Sequence, residues 1–174
     1  MDYWHDIDAG TEDCMNVIVE IPKGSQNKYE LDKKTGIVKL DRVLFSPMHY
    51  PGDYGMIPQT LGEDGDPLDG LVLVTRPTFP GCLIEARPIG VLKMVDGGDP
   101  DDKILCVPTE DPRFSDFKDL SAVPKPILNE IAHFFQVYKT LEGKSVEIVG
   151  WEDVSVAKKI FNQARSRYKE KFSK

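Results

Sequence analysis

Cysteine is scarce in this chain. Cys14, Cys82 and Cys106 are the only three in 174 residues, far apart and without a CxxC pair. That excludes a disulfide framework and a thiolate zinc site, and it leaves buried free thiols as the expectation. Histidine is as sparse: His5, His49 and His133 share no metal-ligand spacing, and no Ser or Cys motif marks a nucleophile. His133, beside Phe134 on an amphipathic stretch, reads as a packing or interface residue. No apolar run approaches the roughly 18 residues of a membrane helix, and the opening MDYWHDIDAGTED has no basic stretch leading into an apolar core. A cytoplasmic location without a membrane partner is therefore expected. Basic residues are in deficit, 22 against 29 acidic, giving a net charge of -7. Such a surface repels a phosphate backbone and argues against a nucleic-acid partner. Repeats, linkers and low-complexity segments are absent, and the length fits one domain over residues 1–174.

What the chain does contain changes period two-thirds of the way along. MNVIVEIP (15–22) alternates apolar and polar residues with Glu20 on the wet face, and NKYELD and GIVKLDRVLF form a hairpin around KKTG, projecting Lys28, Glu30 and Arg42. SPMHYPGDYGMIPQT (46–60), crowded with Pro and Gly around Tyr50 and Tyr54, reads as an irregular but ordered loop. LVLVTRP, CLIEARPIGVLKMVD and KILCVPT read as further strands. Beyond them, Ile127, Ile131, Phe134 and Tyr138, and then Val154, Ala157, Phe161, Ala164 and Tyr168, recur at spacings of three and four, which predicts two amphipathic helices with the strand KSVEIVGW between them. The expected class is α+β: a twisted antiparallel sheet or small barrel with helices packed outside.

Two loops hold most of the chemistry. EDGDPLDG (63–70) packs Glu63, Asp64, Asp66 and Asp69 into seven residues, a repulsive arrangement unless water or a cation neutralises it. A calcium loop of the EF-hand type fails on position, because Asp69 falls at its glycine place and Thr75 at its glutamate place. A P-loop ending at Gly143-Lys144-Ser145 fails as well, with Tyr138 where glycine is required. VDGGDPDDK (95–103) is a second such loop, carrying Asp96, Asp99, Asp101 and Asp102 ahead of Lys103. Two Asp/Gly loops meeting at one end of a sheet suit hard cations such as magnesium. Lys28, Arg42, Lys103 and Lys139, with the hydroxyls of Tyr50, Tyr54 and Tyr138, suit an anion. Together they describe a metal-dependent enzyme of phosphate chemistry.

At this point the sequence resembles the soluble inorganic pyrophosphatases, the single-domain, magnesium-dependent, prokaryotic type. Asp64-Gly65-Asp66-Pro67-Leu68-Asp69-Gly70 fits every place of that family's signature. VEIPKGSQNKYE, RVLFSPMHYPGDYGMIPQTL, RPIGVLKMVD, DDKILCVP and HFFQVYKTLEGK follow its blocks in order along nearly the whole chain. The resemblance implies a five-stranded OB-type barrel with flanking α-helices. It implies hydrolysis of pyrophosphate by direct in-line attack of a metal-activated hydroxide, without a phosphoenzyme. By position, Asp64, Asp69, Asp96 and Asp101 are its metal ligands and Glu20 and Glu30 act on the metals through water. Asp66 is the general base, Lys28, Arg42, Tyr54, Lys103, Tyr138 and Lys139 bind phosphate, and Tyr50 lines the cavity in a less defined role. The cofactor implied is Mg2+, several ions per site, with Mn2+ or Zn2+ as alternatives, and the assembly implied is a homohexamer. Gly97 departs from the pattern where many members carry an acid, which bears on coordination rather than on activity. A silent divalent-metal-binding module and a broader metal phosphatase are the alternatives.

Overall fold

The structure, a computed structural model, describes residues 1–172. Five strands close on themselves: β1 (Met15–Ile21), β4 (Asp53–Ile57), β5 (Leu68–Val72), β6 (Leu83–Asp96) and β8 (Lys103–Pro108). β1 pairs β4, β4 pairs β5, β5 runs parallel to β8, β8 pairs β6, and β6 returns to β1 through Met15 opposite Ala86. That ring is the expected OB-type barrel. β6 is long enough, at 14 residues, to serve three further strands besides β8. Its first half meets β1, and its second half meets β9 (Val146–Glu152) and the two-residue β7 (Asp99–Pro100). β2 (Asn27–Asp32) and β3 (Ile37–Val43) form a separate hairpin.

Period-two alternation sends neighbouring residues of one strand into different cores. Val72, Val91, Ile104 and Cys106 join Ala157, Phe161 and Ala164 of helix α2 (Val154–Phe172). Leu71, Leu92, Leu105 and Val107 join Ile131, Phe134 and Phe135 of helix α1 (Lys125–Val137). α2 starts where Asp153 accepts hydrogen bonds from the backbone N–H of Ser155 (2.9 Å) and Val156 (3.1 Å), two donors that the first turn leaves without a helical partner.

Four details differ from the sequence reading. The Pro/Gly-rich stretch 46–60, expected to be a loop, contains β4, because Gly55 lets β1 come so close that a Cβ there would lie 1.9 Å from the Ile18 carbonyl oxygen. β5 begins at Leu68 rather than Leu71, so Asp69 belongs to a strand. Ile127 is exposed, and Phe135 takes its expected place in the core. Of the cysteines only Cys106 is buried, while Cys14 and Cys82 are partly exposed; all three are free. No helix among the described residues is long and apolar enough to cross a membrane.

Candidate active site

The carboxylate loop is held from both sides. Thr60 donates its hydroxyl to the Ile57 carbonyl (2.6 Å) and accepts the Leu68 N–H (2.9 Å), which pins the loop between β4 and β5. Inside it, the Gly62 N–H donates to the Asp66 carbonyl (2.7 Å) and the Asp66 N–H donates to Asp64 Oδ1 (3.0 Å). The second acidic loop turns tightly: Asp96 pairs with Asp99 across Gly97 and Gly98, whose φ angles are +61° and +92°. A two-residue hairpin turn of that hand favours glycine at both central positions, which gives Gly97 a backbone reason to be there.

These loops and the β2–β3 hairpin surround a cavity of about 330 Å³. Glu20 reaches it from β1, Lys28 and Glu30 from β2, and Tyr54 from β4. The first acidic loop adds Asp64, Asp66 and Asp69, and the second adds Asp96, Asp101 and Lys103. Tyr138 and Lys139, just past α1, complete the set. Tyr50 and Arg42 are placed otherwise. Tyr50 is buried behind the wall, its ring 5.4 Å from that of Tyr54 and 4.8 Å from that of Phe134. Arg42 turns to the side: its Nε lies 2.7 Å from Glu142 Oε1 and one terminal nitrogen 2.5 Å from Asp41 Oδ2.

Parallel register puts Lys103 of β8 beside Asp69 of β5. The Lys103 ammonium, 3% exposed, donates to Asp69 Oδ2 (2.6 Å), Asp101 Oδ1 (2.7 Å) and Tyr54 Oη (3.0 Å). Burial works against its charge, but Asp69 and Asp101 outweigh burial and hold its pKa well above the ordinary lysine value. Burial pushes Asp69 up to about 6, helped by the charge of Asp101 and opposed by Lys103. Glu20 is pushed up to about 7 by burial, against the Leu31 N–H that donates to its Oε1 at 2.8 Å. Asp64 is raised by burial, with Asp101 and Asp66 adding like charge. Burial also lifts the phenols of Tyr54 and Tyr138, so both stay protonated and able to donate at neutral pH.

Every other ammonium in the cavity also rests on a carboxylate: Lys28 on Glu30, Lys139 on Asp96, and Lys33 on Asp66. Among the described residues no three acidic, histidine or cysteine side chains converge on one ion-sized point. Asp99, Lys33 and Trp4 are among the lining residues to which the sequence assigns no role. Asp99 stood in the second acidic loop without a role. Lys33 lay in a stretch read only as a turn. Trp4, which enters from a segment far outside any motif, gave no local signal at all.

The family model described as inorganic pyrophosphatase matches residues 17–169. This chain belongs to that family. The inorganic pyrophosphatase of Halalkalibacterium halodurans is 57% identical over 155 residues, covering 89% of this chain and 95% of the relative. That of Geobacillus stearothermophilus is 54% identical over 156 residues, covering 90% and 94%. The crystal structure of inorganic pyrophosphatase from Thermus thermophilus superposes with a TM-score of 0.92 at 44% identity, covering 96% of this chain and 99% of that one. The Helicobacter pylori enzyme gives 0.91 at 40% identity, covering 94% and 99%. As a member of the inorganic pyrophosphatases, the chain is a hydrolase of a metal-dependent family, and its fold is that of the solved members.

Proposed function

We infer that this chain, as one domain over residues 1–174, hydrolyses inorganic pyrophosphate to two orthophosphates by direct attack of water on phosphorus, without a phosphorylated enzyme. The observation that carries the reading is the meeting of eight carboxylates and four ammonium groups in one cavity. Such an excess of negative charge repels a polyphosphate unless divalent cations accompany it. The donor set is all carboxylate oxygen, which fits a hard ion and favours Mg2+, with Mn2+ or Zn2+ as alternatives. Asp64, Asp69, Asp96 and Asp101 would hold the ions, and Glu20 and Glu30 would do so through water. Bound there, magnesium supplies positive charge and lowers the pKa of water.

Asp66 is the general base. Its side chain is 61% exposed at the cavity rim, where it can accept a proton as the water oxygen bonds to one phosphorus. The bridging P–O bond breaks in line with that attack, and its electron pair leaves on the departing phosphate. Lys28 and Lys139 exchange their carboxylate partners for phosphate oxygens, Tyr54 and Tyr138 donate hydroxyl hydrogens, and Lys103 keeps a permanent charge at the cavity floor. Arg42 reaches phosphate by giving up Asp41 or Glu142, while Tyr50 braces Tyr54 from behind. The acidic surface supports a role apart from nucleic acid, and we assign the reaction to the cytoplasm and the chain to a homohexamer.

Phosphate release from pyrophosphate at neutral pH, with and without magnesium and with ATP in parallel, tests this reading. Fast release from pyrophosphate that requires magnesium is expected. Release from both substrates alike points to a broader phosphatase, and no release despite metal binding points to a silent module.

A further inference from the structure

Lys33 differs from the other three ammonium groups of the cavity. The side chains of Lys28, Lys103 and Lys139 are 16%, 3% and 15% exposed, whereas that of Lys33 is 52% exposed. It stands at the mouth while the others are set in the wall. Its backbone is nonetheless fixed: the Asp32 carbonyl accepts the N–H of Thr35 (3.2 Å) and of Gly36 (2.8 Å), and Asp32 Oδ1 accepts that of Lys34 (2.9 Å). The result is an exposed charge on a hydrogen-bonded turn.

Two groups on the far side of the mouth receive that charge. One is Asp66, and the other is the face of Trp4, whose ring centroid lies 5.0 Å from Lys33 Nζ. Trp4 cannot drift. Its indole N–H donates to the Thr60 carbonyl at 2.9 Å, and its own carbonyl accepts the Gln59 N–H at 2.9 Å. Both partners belong to the strap that leads into the carboxylate loop, so the ring and Asp66 form one frame. Trp4 also lies outside the 17–169 segment matched by the family model.

An ion pair between groups this exposed is weak, so a more highly charged anion in the cavity takes the ammonium from Asp66. While Lys33 sits on Asp66, one oxygen of the base is engaged by a donor that cannot take up a proton. We propose that Lys33 is a further substrate-binding residue, which rests on Asp66 and the Trp4 ring in the free enzyme and passes to a phosphate oxygen of entering pyrophosphate, clearing Asp66. This rests on the reading of substrate and base given above. Trp4 is the positioning residue, because it sets the resting place from which the ammonium departs.

The chain has two tryptophans, and Trp151, which donates to the Leu128 carbonyl at 3.3 Å, does not line the cavity. Trp151→Phe therefore leaves Trp4 as the sole indole reporter. Titrating this variant with imidodiphosphate and magnesium should change Trp4 emission as the ammonium leaves the ring. Adding Lys33→Met should abolish the change and weaken calorimetric affinity up to about fivefold, the loss of one exposed charge contact, and Lys33→Arg should restore most of that affinity. Unaltered affinity in Lys33→Met, or an emission change that survives without Lys33, would overturn the proposal. Failure of the wild type to hydrolyse pyrophosphate, with imidodiphosphate still bound and Lys33-dependent emission intact, would instead remove the functional reading.

Discussion

At the scale of single residues, the site separates groups that titrate from groups that hold charge. In chelator-treated, metal-free protein, Glu20 has a native pKa near 7 against about 4.5 when unfolded, so the native state holds an extra proton between those values. As pH rises through that window the native state must ionise a buried carboxylate, stability falls, and the loss is complete above pH 7. Glu20→Gln keeps an acceptor for the Leu31 N–H and has nothing to ionise. Its unfolding free energy, followed by urea titration, should exceed the wild type's by about 1–3 kcal/mol at pH 8 and match it near pH 4. Parallel curves across that range would show that the burial of Glu20 does not control its proton. Asp66→Asn tests a different role: magnesium affinity close to wild type with turnover reduced about 100-fold or more. Unchanged turnover at neutral pH would remove Asp66 as the base. Asp64, Asp66, Asp69, Asp96 and Asp101 were legible in the sequence because their crowding is unfavourable without a cation. Lys33 and Trp4 were not, because what distinguishes them is a contact between parts of the chain that no local pattern links.

At the scale of elements, β4 shows why some of the fold was hidden. Proline and glycine are poor strand formers, so PGDYGMIP looks like a turn, yet Gly55 lies where β1 and β4 approach too closely for any side chain. Gly55→Ala should cost about 3 kcal/mol or more in denaturant unfolding, since the Ile18 carbonyl it would strike is backbone and cannot rotate away. A loss below about 1 kcal/mol would mean that the two strands part easily. α2 lies at the other extreme. Its apolar repeat at Val154, Ala157, Phe161, Ala164 and Tyr168 is local, and the helix that the repeat predicts is observed over Val154–Phe172. Asp153→Ala should cost about 1 kcal/mol, with circular dichroism reporting fraying at that end of α2. β5 is intermediate, since Gly and Pro in the acidic loop mask a strand that starts at Leu68, three residues before its apolar run begins at Leu71.

At the scale of the whole molecule, the barrel gathers at one end segments that are distant in sequence: β1 and β2, the strap after β4, the turn after β6, and the exit of α1. The side of α1 away from that assembly carries Ile127, Glu130 and His133, all exposed and following one another at three-residue spacing. An exposed isoleucine beside Glu130 and His133 is a modest patch, but closed symmetry repeats every patch on every copy and lets small areas add up. For the homohexamer proposed above, light scattering should give a mass about six times the 19.6 kDa chain at working concentration. If α1 lies at a contact between copies, His133→Glu sets a new negative charge beside Glu130 and should move the mass toward smaller species, more so in low salt, where like charges are less screened. A wild-type monomer would overturn the assembly. A hexamer indifferent to His133→Glu at every salt concentration would leave the assembly standing and remove α1 from its contacts.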